Sequence, residues 1–327
     1  MALKNKLAAI FILLRPYSLP GLFLLYYLAK IVVTHSLGLN IKYLIMFLPV
    51  FFAWTYLTLF LEAEHKHSNR EKISYYYPAA ALIITILLSV AFGGTLSLIP
   101  IAFFLLFTYL YVKKNNISIL GKTSFIMRGF METSLFFISL SLFSNIYLQF
   151  STVLLGIGIL LITSARNLLG DIRDTKFDTL TFTAQYGDNL GYVVSIVLYS
   201  IGAYILFILS GNIGIIFPIL VMIFLLFVIN NGHMFHRLSV LLSTIIISMY
   251  ILFLSGNSEL IFLVNIIFLS IVCNIIFYNL VPRRSNPPDI LTIVGIVPWT
   301  KTNSRSQIYN KTNATDKRIV IISAAAG

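Results

Sequence analysis

Apolar runs of roughly 18–22 residues follow one another along most of this chain, separated by short polar breaks. Each run is long enough to cross ~30 Å of hydrocarbon as a helix. The pattern predicts helices at about 18–36, 42–63, 78–95, 97–112, 124–145, 148–168, 190–210, 213–230, 237–255 and 258–280. Turn residues punctuate them: Gly93-Gly94, Ser144-Asn145, Ser210-Gly211-Asn212, Asn230-Asn231-Gly232 and Ser255-Gly256-Asn257. Several of these breaks are so tight that only antiparallel helical hairpins fit. The first run is followed by many more, so it reads as a span and not as a cleaved signal peptide. After Leu280 the character changes, and residues 282–327 are polar and basic. The expectation is an all-α polytopic membrane bundle of nine to ten transmembrane helices over 1–281, with a cytoplasmic tail over 282–327.

Composition supports that class. Hydrophobic residues make up 58% of the chain and charged residues 10%, against about a quarter charged in soluble domains. Mean hydropathy is +0.92. The lone Cys273 rules out an internal disulfide framework and a cysteine-cluster metal site. A net charge of +12 is accounted for by loops facing anionic lipid, so no nucleic-acid partner is expected. Lys4, Lys6 and Arg15, then Lys66, Arg70 and Lys72, then Lys113, Lys114 and Lys122 fall at one set of helix ends. Arg166, Arg173, Lys176, Arg237, Arg283 and Arg284 continue that set, and the opposite ends carry little beyond Lys42. This asymmetry predicts a multi-pass protein with both termini and every long loop in the cytoplasm. That arrangement needs an even number of crossings, which favours ten.

One stretch breaks the apolar character sharply. Residues 164–178 read Ser-Ala-Arg-Asn-Leu-Leu-Gly-Asp-Ile-Arg-Asp-Thr-Lys-Phe-Asp, and no Asp precedes Asp171 in the chain. Charge at membrane depth is costly and marks functional sites. Asp171, Asp174 and Asp178 are spaced three and four apart, which on a helix puts them on one face. Three carboxylates stacked there repel unless a cation neutralises them, and oxygen-only ligands suit Mg²⁺. Asn167, one turn before Asp171, shares that face. Arg173 and Lys176 fall to the side, where they suit a phosphate or an anionic headgroup. The competing reading is a solvated loop whose acids pair with Arg166, Arg173 and Lys176.

The loop after the second run carries Glu62, His65 and Asn69 with the same spacing, and Glu64, His67 and Glu71 on another face. Glu62 suits a hard cation, and His65 suits softer metals better than Mg²⁺. Tyr109 and Lys113 sit one turn apart at the end of the fourth run. They fit either phosphate binding at a helix end or snorkelling at the membrane face. Arg128 and Glu132, four apart in the fifth run, are placed to pair with each other.

These residues together resemble the UbiA superfamily of intramembrane prenyltransferases. Arg166-Asn167, Gly170-Asp171-Ile172-Arg173-Asp174, Asp178, Thr179-Leu180-Thr181-Phe182 and Tyr186-Gly187 are similar to that family's second acidic motif and the segment trailing it. Thr183 stands where the family usually has a proline. Tyr109 with Lys113, Gly121-Lys122 and Arg15-Pro16 also fall where the family has similar residues. In the first loop, Glu62, His65 and Asn69 stand where the family has aspartates, and its later Arg-Pro is absent. The resemblance implies a helical bundle that binds Mg²⁺ and a prenyl diphosphate between two cytoplasmic acidic loops and transfers the prenyl group to a small acceptor. On that basis the metal ligands are Asp171, Asp174 and Asp178 with Glu62 and His65. The diphosphate contacts are Lys113, Tyr109, Arg173, Lys176 and Asn167. Two other readings remain: an inactive relative that binds isoprenoid or lipid, motivated by the weak first loop, and a transporter.

Overall fold

The computed structural model describes residues 18–35, 38, 40–64, 74–143, 149–174, 179–228, 232–255 and 260–280. All of these lie in the first of two units, Met1–Pro282, the second being Arg283–Gly327. The reading of 282–327 as a tail therefore falls outside the described residues. Every regular element among the described residues is helical. In chain order they are α1 (Leu19–Thr34), α2 (Ile41–Met46), α3 (Leu48–Glu64), α4 (Tyr76–Gly93), α5 (Leu98–Val112), α6 (Ser118–Lys122) and α7 (Ser124–Ser141). They continue as α8 (Phe150–Asp174), α9 (Phe182–Tyr186), α10 (Asp188–Ser210), α11 (Phe217–Val228), α12 (Gly232–Ser255) and α13 (Leu260–Leu280).

Among the described residues, six stretches are helical, long and apolar enough to cross a membrane: Ile41–Leu61, Tyr76–Gly93, Thr95–Asn115, Phe150–Ile172, Asp188–Ser210 and Leu238–Ser255. Leu19–Thr34 and Leu260–Cys273 are apolar but shorter. This is the mark of an integral membrane protein, because a helix satisfies its own backbone polar groups where no water is at hand. Helix α7 is absent from that set for a physical reason. Fifteen of its eighteen residues are buried, among them Arg128, Glu132 and five serines and threonines. A helix ringed by protein faces no lipid, so it can carry polar groups that its neighbours must satisfy.

Two apolar clusters form the interior. One joins α1, α7, α8, α10, α12 and α13, with Tyr27, Phe136, Ile159, Tyr199 and Ile251 among its buried members. The other joins α1, α3, α5 and α7 around Tyr26, Trp54, Leu57 and Met131. Helices α1 and α7 belong to both and tie them together. Where helices meet most closely, small residues allow it. A Cβ on Gly202 of α10 would stand 2.8 Å from Ile162 and 2.9 Å from the Gly158 carbonyl of α8. A Cβ on Gly129 of α7 would stand 2.9 Å from the Leu160 carbonyl of α8.

The turn after α1 is held from inside the bundle. Lys30 is fully buried, and its Nζ donates to the Gly38 carbonyl at 2.6 Å. The same ammonium lies 5.1 Å and 4.8 Å from the ring centres of Tyr27 and Tyr43. Tyr26 donates to the Tyr43 carbonyl beside it. Asn40 caps α2 by accepting from the Tyr43 amide at 3.1 Å.

Gly202→Val should lower the melting temperature in detergent measurably, since forcing apart packed helices costs about 1–3 kcal/mol. Gly21→Ala, within α1 and with nothing within 4 Å of an added Cβ, should cost far less. Equal melting shifts for the two variants would refute the close α8–α10 packing.

Candidate functional site

Helices α7 and α8 run antiparallel, and their facing residues build a polar seam. At one end Ser124 Oγ donates to Asp171 Oδ2 at 3.0 Å. Deeper in, Arg166 donates through Nη2 to both carboxylate oxygens of Glu132. Deeper still the seam becomes apolar, with Phe137 packed where a Cβ on Gly156 would stand. Asp171 is only 8% exposed, so its carboxylate depends on protein partners, and Ser124 supplies one.

Glu132 is shared between two cations. Arg128, one turn before it on α7, brings Nε to 3.7 Å from Oε1. The Arg128 guanidinium also lies over the rings of Trp54 on α3 and Tyr111 on α5, at 5.2 and 5.7 Å from their centres. Desolvated cation–π contacts of this kind contribute about 2 kcal/mol. Lys114 follows: its Nζ is 4.9 Å from the Tyr111 ring centre and 3.5 Å from the Tyr111 hydroxyl. Lys114 is itself buried. Among the described side chains, Lys114, Arg128 and Arg166 stand with the carboxylates of Glu132 and Asp171 in one half of the bundle. Among the described residues the buried Trp54 indole N–H has no acceptor. Cationic side chains beside such a donor are a setting that suits an anion.

The residues singled out from the sequence fall in different places. Asp171 and Asp174 both lie on the last turn and a half of α8, and the side chains of Arg173 and Asp174 are outside the described set. Lys176, Asp178 and His65 lie outside the described residues. Glu62 is on α3, and its side chain is also outside them. Asn167 donates through Nδ2 to the Thr163 carbonyl at 2.7 Å. Tyr109 is 57% exposed, and Lys113 stacks on it with Nζ 5.6 Å from the ring centre. Tyr109 is on the outside of α5, whereas Tyr111 reaches Arg128 inside and Lys114 lies against Tyr111. The Arg128–Glu132 pairing forms, but Arg166 from α8 is the nearer partner.

Trp54, Tyr111, Lys114 and Arg166 were not assigned to the site from the sequence. The available signal was the rarity of charge within apolar helices, which applies to Arg128 and Glu132 as much as to Asp171. Near the end of α3, Glu64 accepts from the Tyr75 hydroxyl at 2.8 Å, linking the two ends of the first polar loop. That hydrogen bond, first among the causes, raises the Tyr75 phenol above its ordinary pKa.

The donor set around Asp171 is oxygen-rich: its carboxylate, the Ser124 hydroxyl and the Asn167 side-chain carbonyl one turn back. Such groups fit a hard divalent cation. Among the described residues no group of three or more His, Cys, Asp and Glu side chains gathers. A crevice of about 350 Å³ lies between α5, α7 and α8. Its walls include Phe103, Phe107, Phe130, Phe137 and Gly156, with Phe107 and Phe130 stacked at 4.3 Å. No protein-family model, curated protein or solved structure matches this chain.

Glu132→Ala leaves the buried Arg128 and the half-buried Arg166 without their shared carboxylate. It should destabilise the protein by about 3–5 kcal/mol, read as a fall in melting temperature or in expression of folded protein. Ser124→Ala, which removes one donor to a buried carboxylate, should cost about 1–3 kcal/mol. If Glu132→Ala melts like the unaltered chain, the shared ion pair is wrong.

Proposed function

We propose that this chain is an intramembrane prenyltransferase of the UbiA type, moving an isoprenyl group from a prenyl diphosphate to a small acceptor. The observation that carries the reading is the inward-facing set of Lys114, Arg128, Arg166 and the Trp54 N–H in the half of the bundle that holds Asp171. These cationic and donor groups suit a polyanionic leaving group, and the apolar bundle around them suits a hydrocarbon substrate. The resemblance of 164–187 to the second acidic motif supports the same assignment. In this proposal the helices cross the membrane ten times, with α1, α7, α11 and α13 completing the set. The acidic loops then face the cytoplasm, as the lysine and arginine asymmetry requires.

The chain's own residues do most of the work. Arg128, held flat by Trp54 and Tyr111, and Lys114 beside it present fixed positive charge to the diphosphate. Preorganised charge of this kind acts where negative charge develops as the C–O bond breaks, its electron pair leaving with diphosphate. Glu132 keeps Arg128 and Arg166 apart and oriented. Lys113, Tyr109, Arg173 and Lys176 receive the diphosphate at the rim. Asp171 and Asp174, with Asp178, Asn167, Glu62 and His65, would hold Mg²⁺, which when bound neutralises diphosphate charge. The apolar interior excludes water, so the carbon centre meets the acceptor nucleophile, which forms the new bond and gives up its proton. The phenylalanine-lined crevice suits a hydrocarbon chain lying along α5 and α8.

A second reading is favoured by one observation. Arg128, Glu132 and Arg166 lie within helices rather than in loops, a placement also used by transporters for coupled ions. A flux assay in liposomes, run beside a radiolabelled prenyl-transfer assay, separates the two.

Prenyl transfer should need Mg²⁺ or Mn²⁺ and stop on EDTA treatment. Asp171→Ala and Arg128→Ala should each lower transfer by a factor of about 10²–10³, the scale of losing one preorganised charge contact. Asp171→Ala should remain folded in detergent. Transfer that survives EDTA, or that Asp171→Ala leaves untouched, would overturn the metal-assisted mechanism.

A further inference from the structure

His236 on α12 touches the acidic end of α8. Its Nδ1 lies 3.3 Å from the Arg166 carbonyl oxygen. A backbone carbonyl only accepts, so Nδ1 of a neutral ring carries the proton there. The imidazole also covers Gly170. A Cβ on Gly170 would stand 3.2 Å from Cε1 and 3.3 Å from Nδ1 of His236, so the ring packs tightly over this glycine. Gly170 directly precedes Asp171.

The helix that carries this ring is well fixed. Ser239 Oγ donates to the His236 carbonyl at 2.7 Å. Tyr199 of α10 donates to the Ser239 carbonyl at 2.8 Å and shares a 2.6 Å hydrogen bond with Ser243. Both Tyr199 and Ser243 are buried. Helix α12, braced against α10, thus places the His236 imidazole on the acidic turn of α8. Arg166 is gripped from two sides, with its guanidinium on Glu132 of α7 and its carbonyl on His236 of α12.

We propose that His236 is a positioning residue for the acidic turn of α8. By donating from Nδ1 to the Arg166 carbonyl and filling the hollow over Gly170, it fixes how that turn presents Asp171 to a divalent cation. This rests on the reading of Asp171 as a metal ligand in the proposed enzyme.

The test uses the full chain in detergent with His236→Ala, His236→Asn and His236→Gln. An asparagine amide reaches the place of Nδ1, and a glutamine amide reaches that of Nε2. Two readouts apply: amide hydrogen exchange over 166–174, and Mn²⁺ affinity by electron paramagnetic resonance titration. His236→Ala should speed exchange over 166–174 and weaken Mn²⁺ binding, each by about tenfold, the scale of one lost hydrogen bond. His236→Asn should restore both, and His236→Gln should restore neither. The proposal is overturned if His236→Ala leaves exchange unchanged, if Mn²⁺ affinity does not follow exchange, or if asparagine fails to restore them. Mn²⁺ binding without any prenyl transfer by the unaltered protein would refute the enzyme and leave the His236 assignment to these readouts. Failure of the unaltered protein to bind Mn²⁺ would overturn both.

Discussion

A guanidinium inside an apolar bundle must be answered by protein, because no water is there to answer it. Glu132 meets that demand twice over, taking Arg166 from the neighbouring helix and Arg128 from its own. The rest of the charged half of the bundle follows from this carboxylate. It sets the register of α7 against α8, which in turn brings Ser124 to Asp171. It also fixes Arg128 where Trp54 and Tyr111 can lie against it. Glycines at 129, 158 and 202 make the arrangement possible by letting α7, α8 and α10 approach closely enough for short side chains to meet.

The two chemistries of the bundle are separated along α7. Its first half holds Ser124, Arg128 and Glu132, and its second half packs Leu135, Phe136 and Ile138 into apolar clusters. A charged substrate head and a hydrocarbon tail would find distinct surroundings along one helix. The phenylalanine crevice beside α5 lies on the apolar side of that division. On the other side of α8, the Tyr199, Ser239 and Ser243 hydrogen bonds brace α10 against α12.

Much of the scaffold was legible in the sequence, because long apolar runs and tight Gly/Asn/Ser breaks report directly on helices and hairpins. Helices occupy all ten of the apolar segments read from the pattern, the second of them divided at Phe47 into α2 and α3. Hydropathy could not separate a helix facing lipid from one enclosed by protein, which is why α7 looked like an ordinary span. The acidic cluster was legible because Asp is so scarce before residue 171. The inward layer was not. Tyr109–Lys113 and Tyr111–Lys114 have nearly the same sequence spacing, and only the rotation of α5 decides which pair turns inside. The bond from Arg166 to Glu132 crosses 34 positions and depends on the helix register. The placement of His236 over Gly170 likewise depends on how α12 packs.

Helix α7 carries a consequence for how the chain reaches its bilayer. A lone helix carrying Arg128 and Glu132 partitions poorly, since a charged residue disfavours insertion by up to about 2.5–3.5 kcal/mol at a helix centre. Arg128 and Glu132 pair within α7, whereas Arg166 reaches Glu132 only once α8 has been synthesised. In the proposed ten-crossing arrangement α7 would therefore enter the bilayer together with α8 as a hairpin, rather than be released segment by segment.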